Sequence, residues 1–246
     1  MVNIMEILLV NDDGIDALGL KLLAQKLLKY GNVTVLAPDG ERSASSHSIN
    51  IKKPLTIESV SPIVMGTKCF KTNGTPADCV RLATGALGRE FEIVFSGVNY
   101  GLNIGTDVIY SGTCAGAREA FIEGLPSVAI SCDRRFDIVE DEIDNILDLI
   151  FYKKIYSKDY SLNINFPIHD FRNSKGIKFA KMGKKRFKTT YMKNEEGLYE
   201  VLKDEILYDI DPSTDAYLSL EGYTTITILD ANLSKEIDID LFNSKL

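Results

Sequence analysis

The sequence has no tryptophan, only two histidines and four cysteines, and seven prolines in 246 residues. So few prolines beside 18 glycines exclude a collagen-like or low-complexity chain. The cysteines, Cys69, Cys79, Cys114 and Cys132, form no C-x-x-C pair, which leaves a zinc or thioredoxin-like site without support. A chain of this length is no small disulfide scaffold, so reduced, buried thiols in the cytoplasm are expected. No segment approaches the ~20 apolar residues of a membrane span. The opening MVNIMEILLVNDDG has no basic stretch, and its apolar run is too short for a signal peptide. Positive charge is also in deficit. The chain carries 28 basic and 35 acidic residues, a net charge of −7, which argues against a protein-wide nucleic-acid coat.

What is present is ordinary for a soluble globular protein: 45% hydrophobic and 26% charged residues. Short apolar runs at 6–10, 33–37, 93–96, 126–131 and 162–166 read as strands buried on both faces. Between them lie segments of helical period. Leu20, Leu23, Ala24, Leu27 and Leu28 form one stripe, with Gly31 as its stop. Thr75-Pro76 opens a second helix as N-cap and first residue, with Val80, Ala83 and Leu87 inward. A third helix spans 113–124. A fourth spans 140–156, with Ile143, Ile146, Leu147 and Ile150 inward, acids at its start, and Lys153 and Lys154 at its dipole-favoured end. Strand and helix alternating in this way predict an open, doubly wound α/β sheet.

Beyond 166 the composition changes. Residues 175–193 hold eight bases and no acid, and 194–215 hold eight acids and one lysine. Three readings stand: a hairpin whose strands pair opposite charges, an arm that packs on another subunit, and a basic nucleic-acid surface. The last ranks lowest, because its only aromatics are Phe179, Phe187 and Tyr191. A late strand follows at 224–229.

Ligands of open α/β sheets bind beyond the carboxyl ends of the strands, and three segments lie there. The first is Asn11-Asp12-Asp13-Gly14. Adjacent carboxylates repel unless neutralised, and a hard cation such as Mg²⁺ or Mn²⁺ suits them; capping of the next helix explains the pair equally well. The second, 38–48, offers Arg42, Ser43, Ser45, Ser46, His47 and Ser48; alone it reads as a polar loop. The third, 96–113, repeats glycine at 97, 101 and 105, which is neither a dinucleotide fingerprint nor a phosphate-cradling lysine loop. It supplies Asn99, Asn103 and Ser111-Gly112-Thr113 ahead of a helix, an N-terminus suited to an anion. Together the segments compose a cation cup (Asp12, Asp13, Ser43, Asn99) beside an anion cradle (Asn103, Ser111, Gly112, Thr113). That pairing points to phosphate-ester hydrolysis.

At the stretches ILLVNDDGIDALGL, VLAPDGERSASSHSI, NGTPADCVRLA and SGVNYGLNIGTDVIYSGTCAGAREA the sequence resembles the survival protein E (SurE) family of metal-dependent nucleotidases. Weaker likeness continues at LNINFP, KGIKFAKMGKKRF and STDAYLSLEGYTTITIL. The resemblance implies a Rossmann-like, three-layer α/β/α core over 1–166. It also implies a C-terminal hairpin arm and closing strand or helix over 167–246, not an independent domain, exchanged between subunits of a homodimer or homotetramer. It implies one divalent ion per subunit on Asp12, Asp13, Ser43 and Asn99, with Asp12 and Asp13 catalytic, and substrate phosphate near Asn103 and 111–113. The implied reaction releases phosphate from nucleoside 5′- and 3′-monophosphates, and in some members from short polyphosphate. The chain departs from the family pattern at Asp16, Leu18, Gly40, Cys114 and Gly116, none of which is an implied ligand. Two other classes bound the reading. A haloacid-dehalogenase-type phosphatase needs Asp-x-Asp, not adjacent acids. A non-catalytic, metal-dependent nucleotide-binding module would bind without releasing phosphate.

Overall fold

In β1 (Met5–Val10) the side chains alternate between two apolar layers, which is why the run is continuously hydrophobic. Ile7 and Leu9 join one core cluster and Leu8 and Val10 another. The computed structural model describes residues 4–232 and 234. The end of the expected C-terminal arm, 235–246, lies outside the described residues.

The chain runs β1, α1 (Leu18–Leu27), β2 (Gly31–Pro38), β3 (Glu58–Val60), β4 (Lys68–Thr72), α2 (Pro76–Ala86), β5 (Ile93–Tyr100), α3 (Asp107–Tyr110), α4 (Gly112–Ile122), β6 (Ser127–Cys132), α5 (Phe136–Phe151), β7 (Ser161–Asn165), β8 (Ile177–Ala180), β9 (Lys185–Lys193), β10 (Tyr199–Tyr208), α6 (Asp215–Leu220) and β11 (Thr224–Leu229). Nine strands form one sheet in the order β3-β4-β2-β1-β5-β6-β7-β11-β8. Neighbours from β4 to β7 are parallel, and β3 and β11 run antiparallel to β4 and β7. α1 and α5 cover the face of Ile7, Val35, Phe95 and Ile130, and α2 and α4 cover the face of Leu8, Leu36 and Val94. The architecture is thus three-layered α/β/α, with β9 and β10 as a separate antiparallel ribbon.

The chain leaves β1 toward β2 and β4 on one side, then returns through β5 to β6 and β7 on the other. That reversal beside β1 is the topological switch point, where such sheets bind ligands. The carboxyl ends of β1, β2 and β5 lead there into Asp12-Asp13, the serine loop and the glycine-rich loop.

Local signals explain several boundaries. Thr75 caps α2 in a complete capping box with Asp78, with Pro76 in the first turn. Gly31 does not stop α1, as its spacing suggested, but opens β2; a side chain there would meet the Met5 carbonyl at 2.1 Å. α5 starts at Phe136 and not at 140, because Ile138 and Val139 extend the buried stripe. It ends at Phe151 with Tyr152 as its C-cap, so Lys153 and Lys154 follow the helix and are not part of its last turn. β3 and β4 are short, and β3 is largely exposed, so neither carries a strand-like apolar run.

Candidate active site

Asp12 follows β1 directly and is almost fully buried. Its Oδ1 accepts a hydrogen bond from the Thr113 hydroxyl at the start of α4. The carboxylate packs over that helix end so closely that a side chain on Gly112 would meet Asp12 Oδ2 at 2.9 Å. Burial, the largest effect, pushes the Asp12 carboxyl up to about 6; Thr113 pulls it back in part, and neighbouring Asp13 raises it again. Asp13 is less buried and is also raised, first by desolvation and then by Glu41, against a backbone hydrogen bond from Tyr100. Among the described residues neither carboxylate has an ion pair.

A cleft of about 430 Å³ opens above Asp12 and is lined by Ser43, Asn99, Asn103 and Ser111. Asp13 borders a neighbouring cleft of about 330 Å³ that shares Ser43 and Tyr100 with the first. Ser43 sits between the two, its hydroxyl 2.6 Å from Glu41 Oε1. Asn99 Nδ2 donates to the Gly101 carbonyl at 2.7 Å, which turns its side-chain oxygen away from that bond and frees it to ligate. The Arg42 backbone amide anchors the serine loop to the Asp12 carbonyl at 2.7 Å.

The glycine-rich loop is held from below. Asn103 accepts at its carbonyl from Asn163 and Asn165, and its Nδ2 donates to Ser131 at 2.9 Å. Buried Asp215 accepts from the amides of Gly105, Gly183 and Ala216, which ties this loop to the start of the arm. Ser111 caps α4 by accepting from the Cys114 amide. Thr113 itself is completely buried against Asp12 and does not line the cleft, and neither does Gly112. Of the expected cradle, Asn103 and Ser111 therefore face the opening, while Gly112 and Thr113 seat the Asp12 carboxylate.

Asp12, Asp13, Ser43 and Asn99 offer two carboxylates, a hydroxyl and an amide carbonyl. These are all hard oxygen donors, as Mg²⁺ or Mn²⁺ prefers. Among the described residues no group of three or more His, Cys, Asp or Glu that could hold a metal ion gathers at any place, so here the hydroxyl and the amide must complete the donor set. Two carboxylates suit a small cation that keeps water and takes substrate phosphate as a further ligand. The unneutralised, desolvated carboxylates fit the same group.

Two polar residues of the serine loop face away from this chemistry. Arg42 pairs with Asp39 at 2.6 Å. His47 pairs with buried Glu119 of α4, which Arg81 of α2 also meets. Neither lines the clefts. Conversely, the cleft recruits Tyr100, Asp107, Tyr110, Lys185 and Phe187, which sequence reasoning left out. The last two lie more than 70 residues from the nearest expected ligand, so no spacing signal ties them to it.

Residues 7–189 match the protein family described as Survival protein SurE. The chain is 40% identical over 244 residues to the 5′-nucleotidase SurE of Clostridium botulinum strain 657, covering 94% of each. It is 38% identical over 257 residues to the protein of the same name from Thermoanaerobacter pseudethanolicus, covering 98% of each. Among solved structures, the SurE protein of Aquifex aeolicus superposes with a TM-score of 0.79 at 30% identity, covering 97% of both chains. Among the described residues no helix is long and apolar enough to cross a membrane.

Proposed function

The chain belongs to the survival protein SurE family, and from that premise we propose that it is a 5′-nucleotidase whose hydrolysis of nucleoside monophosphates depends on one divalent cation, Mg²⁺ or Mn²⁺, per subunit. The observation that carries this reading is the Asp12–Asp13 pair. It is desolvated and raised, has no cationic partner among the described residues, and sits at the switch point below an open cleft. Asp12, Asp13, Ser43 and Asn99 would hold the cation. When bound, it supplies Lewis acidity toward a phosphoryl oxygen.

The chain's own groups do the rest. Asn103 and Ser111 orient the phosphate in the cleft, where α4 presents its positive end. Thr113 fixes Asp12 Oδ1, which orients the carboxylate to serve as a ligand. A water oxygen then bonds to phosphorus in line as the bond to the ester oxygen breaks, and the proton balance closes when one proton of that water ends on the leaving nucleoside oxygen. The cleft is open beyond the phosphate donors, which supports 3′-monophosphates and short polyphosphate as further substrates. The arm supports a homodimer or homotetramer, and four buried, unpaired cysteines support a reducing cytoplasm.

The test is inorganic phosphate released from 5′-AMP and 3′-AMP, with Mn²⁺ and with EDTA. Release from both substrates that EDTA abolishes is expected. Tight nucleotide binding in Mn²⁺ with no phosphate released would instead favour the non-catalytic module.

A further inference from the structure

We propose that Phe187 and Tyr110 form a nucleobase platform at the outer end of the Asp12 cleft, an assignment that rests on the nucleotidase reading above. Both rings line the cleft that also contains Ser111 and Asn103, and both are exposed, at 43% and 58%. Single exposed aromatics are unremarkable. Two beside an anion-binding helix end offer what a nucleoside monophosphate presents: a flat π-face a short distance from a phosphate.

Phe187 belongs to the ribbon, yet its position is set by the core. Lys185 pairs with Asp107 of α3, both side chains largely buried, and the Lys185 carbonyl accepts from the Thr106 hydroxyl. A side chain on Gly105 would meet the Lys185 amide nitrogen at 3.0 Å, so β9 lies directly against the glycine-rich loop. The Lys185 ammonium in turn lies 5.0 Å from the centre of the Phe187 ring, a cation–π contact that orients it. Because Asp107 neutralises Lys185, this lysine supports the ring and the nucleoside end and is not a free counter-charge for phosphate.

The neighbouring cleft is the weaker alternative. It is lined by Ala17, Leu18 and Phe136 beside Asp13, and none of the expected anion donors reaches it. Stacking on aromatic faces is tolerant of base identity, since every base has a π-face. The platform therefore predicts discrimination between a nucleotide and a base-free phosphate more than among bases.

The experiment compares kcat/KM for 5′-AMP with kcat/KM for ribose 5-phosphate, in Mn²⁺. Phe187→Ala is expected to lower the 5′-AMP to ribose 5-phosphate ratio about tenfold, mainly through KM for 5′-AMP, with Tyr110→Ala acting in the same direction. Inhibition by adenosine weakens in parallel. Phe187→Tyr retains the ratio, whereas Phe187→Leu, which keeps apolar volume without a π-face, does not. A ratio that stays within about twofold in both alanine variants, or that leucine preserves, overturns the platform. No phosphate released from 5′-AMP by the unaltered protein overturns the nucleotidase reading and the platform with it.

Discussion

Asp12 binds its proton more tightly in the folded chain than in the unfolded one, since burial pushes it up to about 6. The folded state therefore takes up protons as pH falls from about 6 toward the ordinary carboxylate value, and gains stability there. At pH 7 the ionised side chain is a net burden of order 3 kcal/mol without a cation. Asp12→Asn should accordingly raise the thermal midpoint of the cation-free protein at pH 7, with the gain disappearing near pH 4. The same substitution should reduce phosphate release from 5′-AMP by about a thousandfold or more and remove the stabilisation that Mn²⁺ gives the unaltered protein. An active, Mn²⁺-stabilised variant would sink the ligand assignment. Thr113 offers a second test. Thr113→Val deletes the hydroxyl that orients Asp12, and calorimetric Mn²⁺ affinity should fall about tenfold or more, as for other groups that position a ligand. Taken singly, Asp12-Asp13 also suits helix capping and Ser43 a polar loop; only their joint placement with Asn99 at adjacent strand ends makes Asp12, Asp13, Ser43 and Asn99 legible as a hard-oxygen set. The Thr113 hydroxyl's partner is not legible in the sequence, because a helix's first turn can face a ligand or a neighbouring side chain, and only packing decides which.

At the level of elements, α4 carries more than the helix end below the cleft. Glu119 on its buried side joins three parts of the fold: His47 of the serine loop, Arg81 of α2, and α4 itself. Its carboxyl is held below the ordinary value first by the His47 hydrogen bond, against burial, and then by Arg81. A lowered value means that this contribution is fully present above the ordinary glutamate range and is lost as pH falls through the folded value. Glu119→Gln should cost roughly 1–2 kcal/mol of stability at pH 7, after discounting for the half-exposed Arg81, and so lower the thermal midpoint by a few degrees. The gap from the unaltered protein should narrow as pH falls below the ordinary glutamate range, so melting curves taken from pH 7 through successively more acidic buffers check it. This link was invisible in the sequence because 72 residues separate its histidine from its carboxylate. The central strands were legible for the opposite reason: burial on both faces leaves an unbroken apolar run. α5 shows where such reading slips. Its acids suggested a start at 140, yet Val139, Ile143, Ile146 and Ile150 form one buried stripe that includes the preceding turn.

For the molecule as a whole, the open question is what the ribbon of β9 and β10 rests against. Two strands alone are marginal in water. Consecutive Tyr191 and Met192 point to opposite faces and both are exposed, as are Leu198, Tyr199, Val201 and Leu202. The charge blocks do not resolve this within the ribbon. Among the described residues a single cross-strand ion pair forms, Lys188 with Glu205 at 4.0 Å, so the pairing suggested by composition is mostly unmet. A basic strand and an acidic strand on an apolar ribbon complement a second copy in reverse orientation, which covers the apolar surface and matches the charges together. Light scattering should therefore give two or four times the 27.3 kDa chain mass. Tyr191→Glu with Leu198→Glu should shift it toward one chain with unchanged circular dichroism, because both residues lie away from the sheet that folds the core. A single-chain mass for the unaltered protein at micromolar concentration would leave the ribbon exposed and refute this use of it. Phe187 makes the outcome matter for catalysis. It stands near the start of the same β9, anchored to α3 through Lys185, so the strand that would meet a second copy begins at the wall of the cleft.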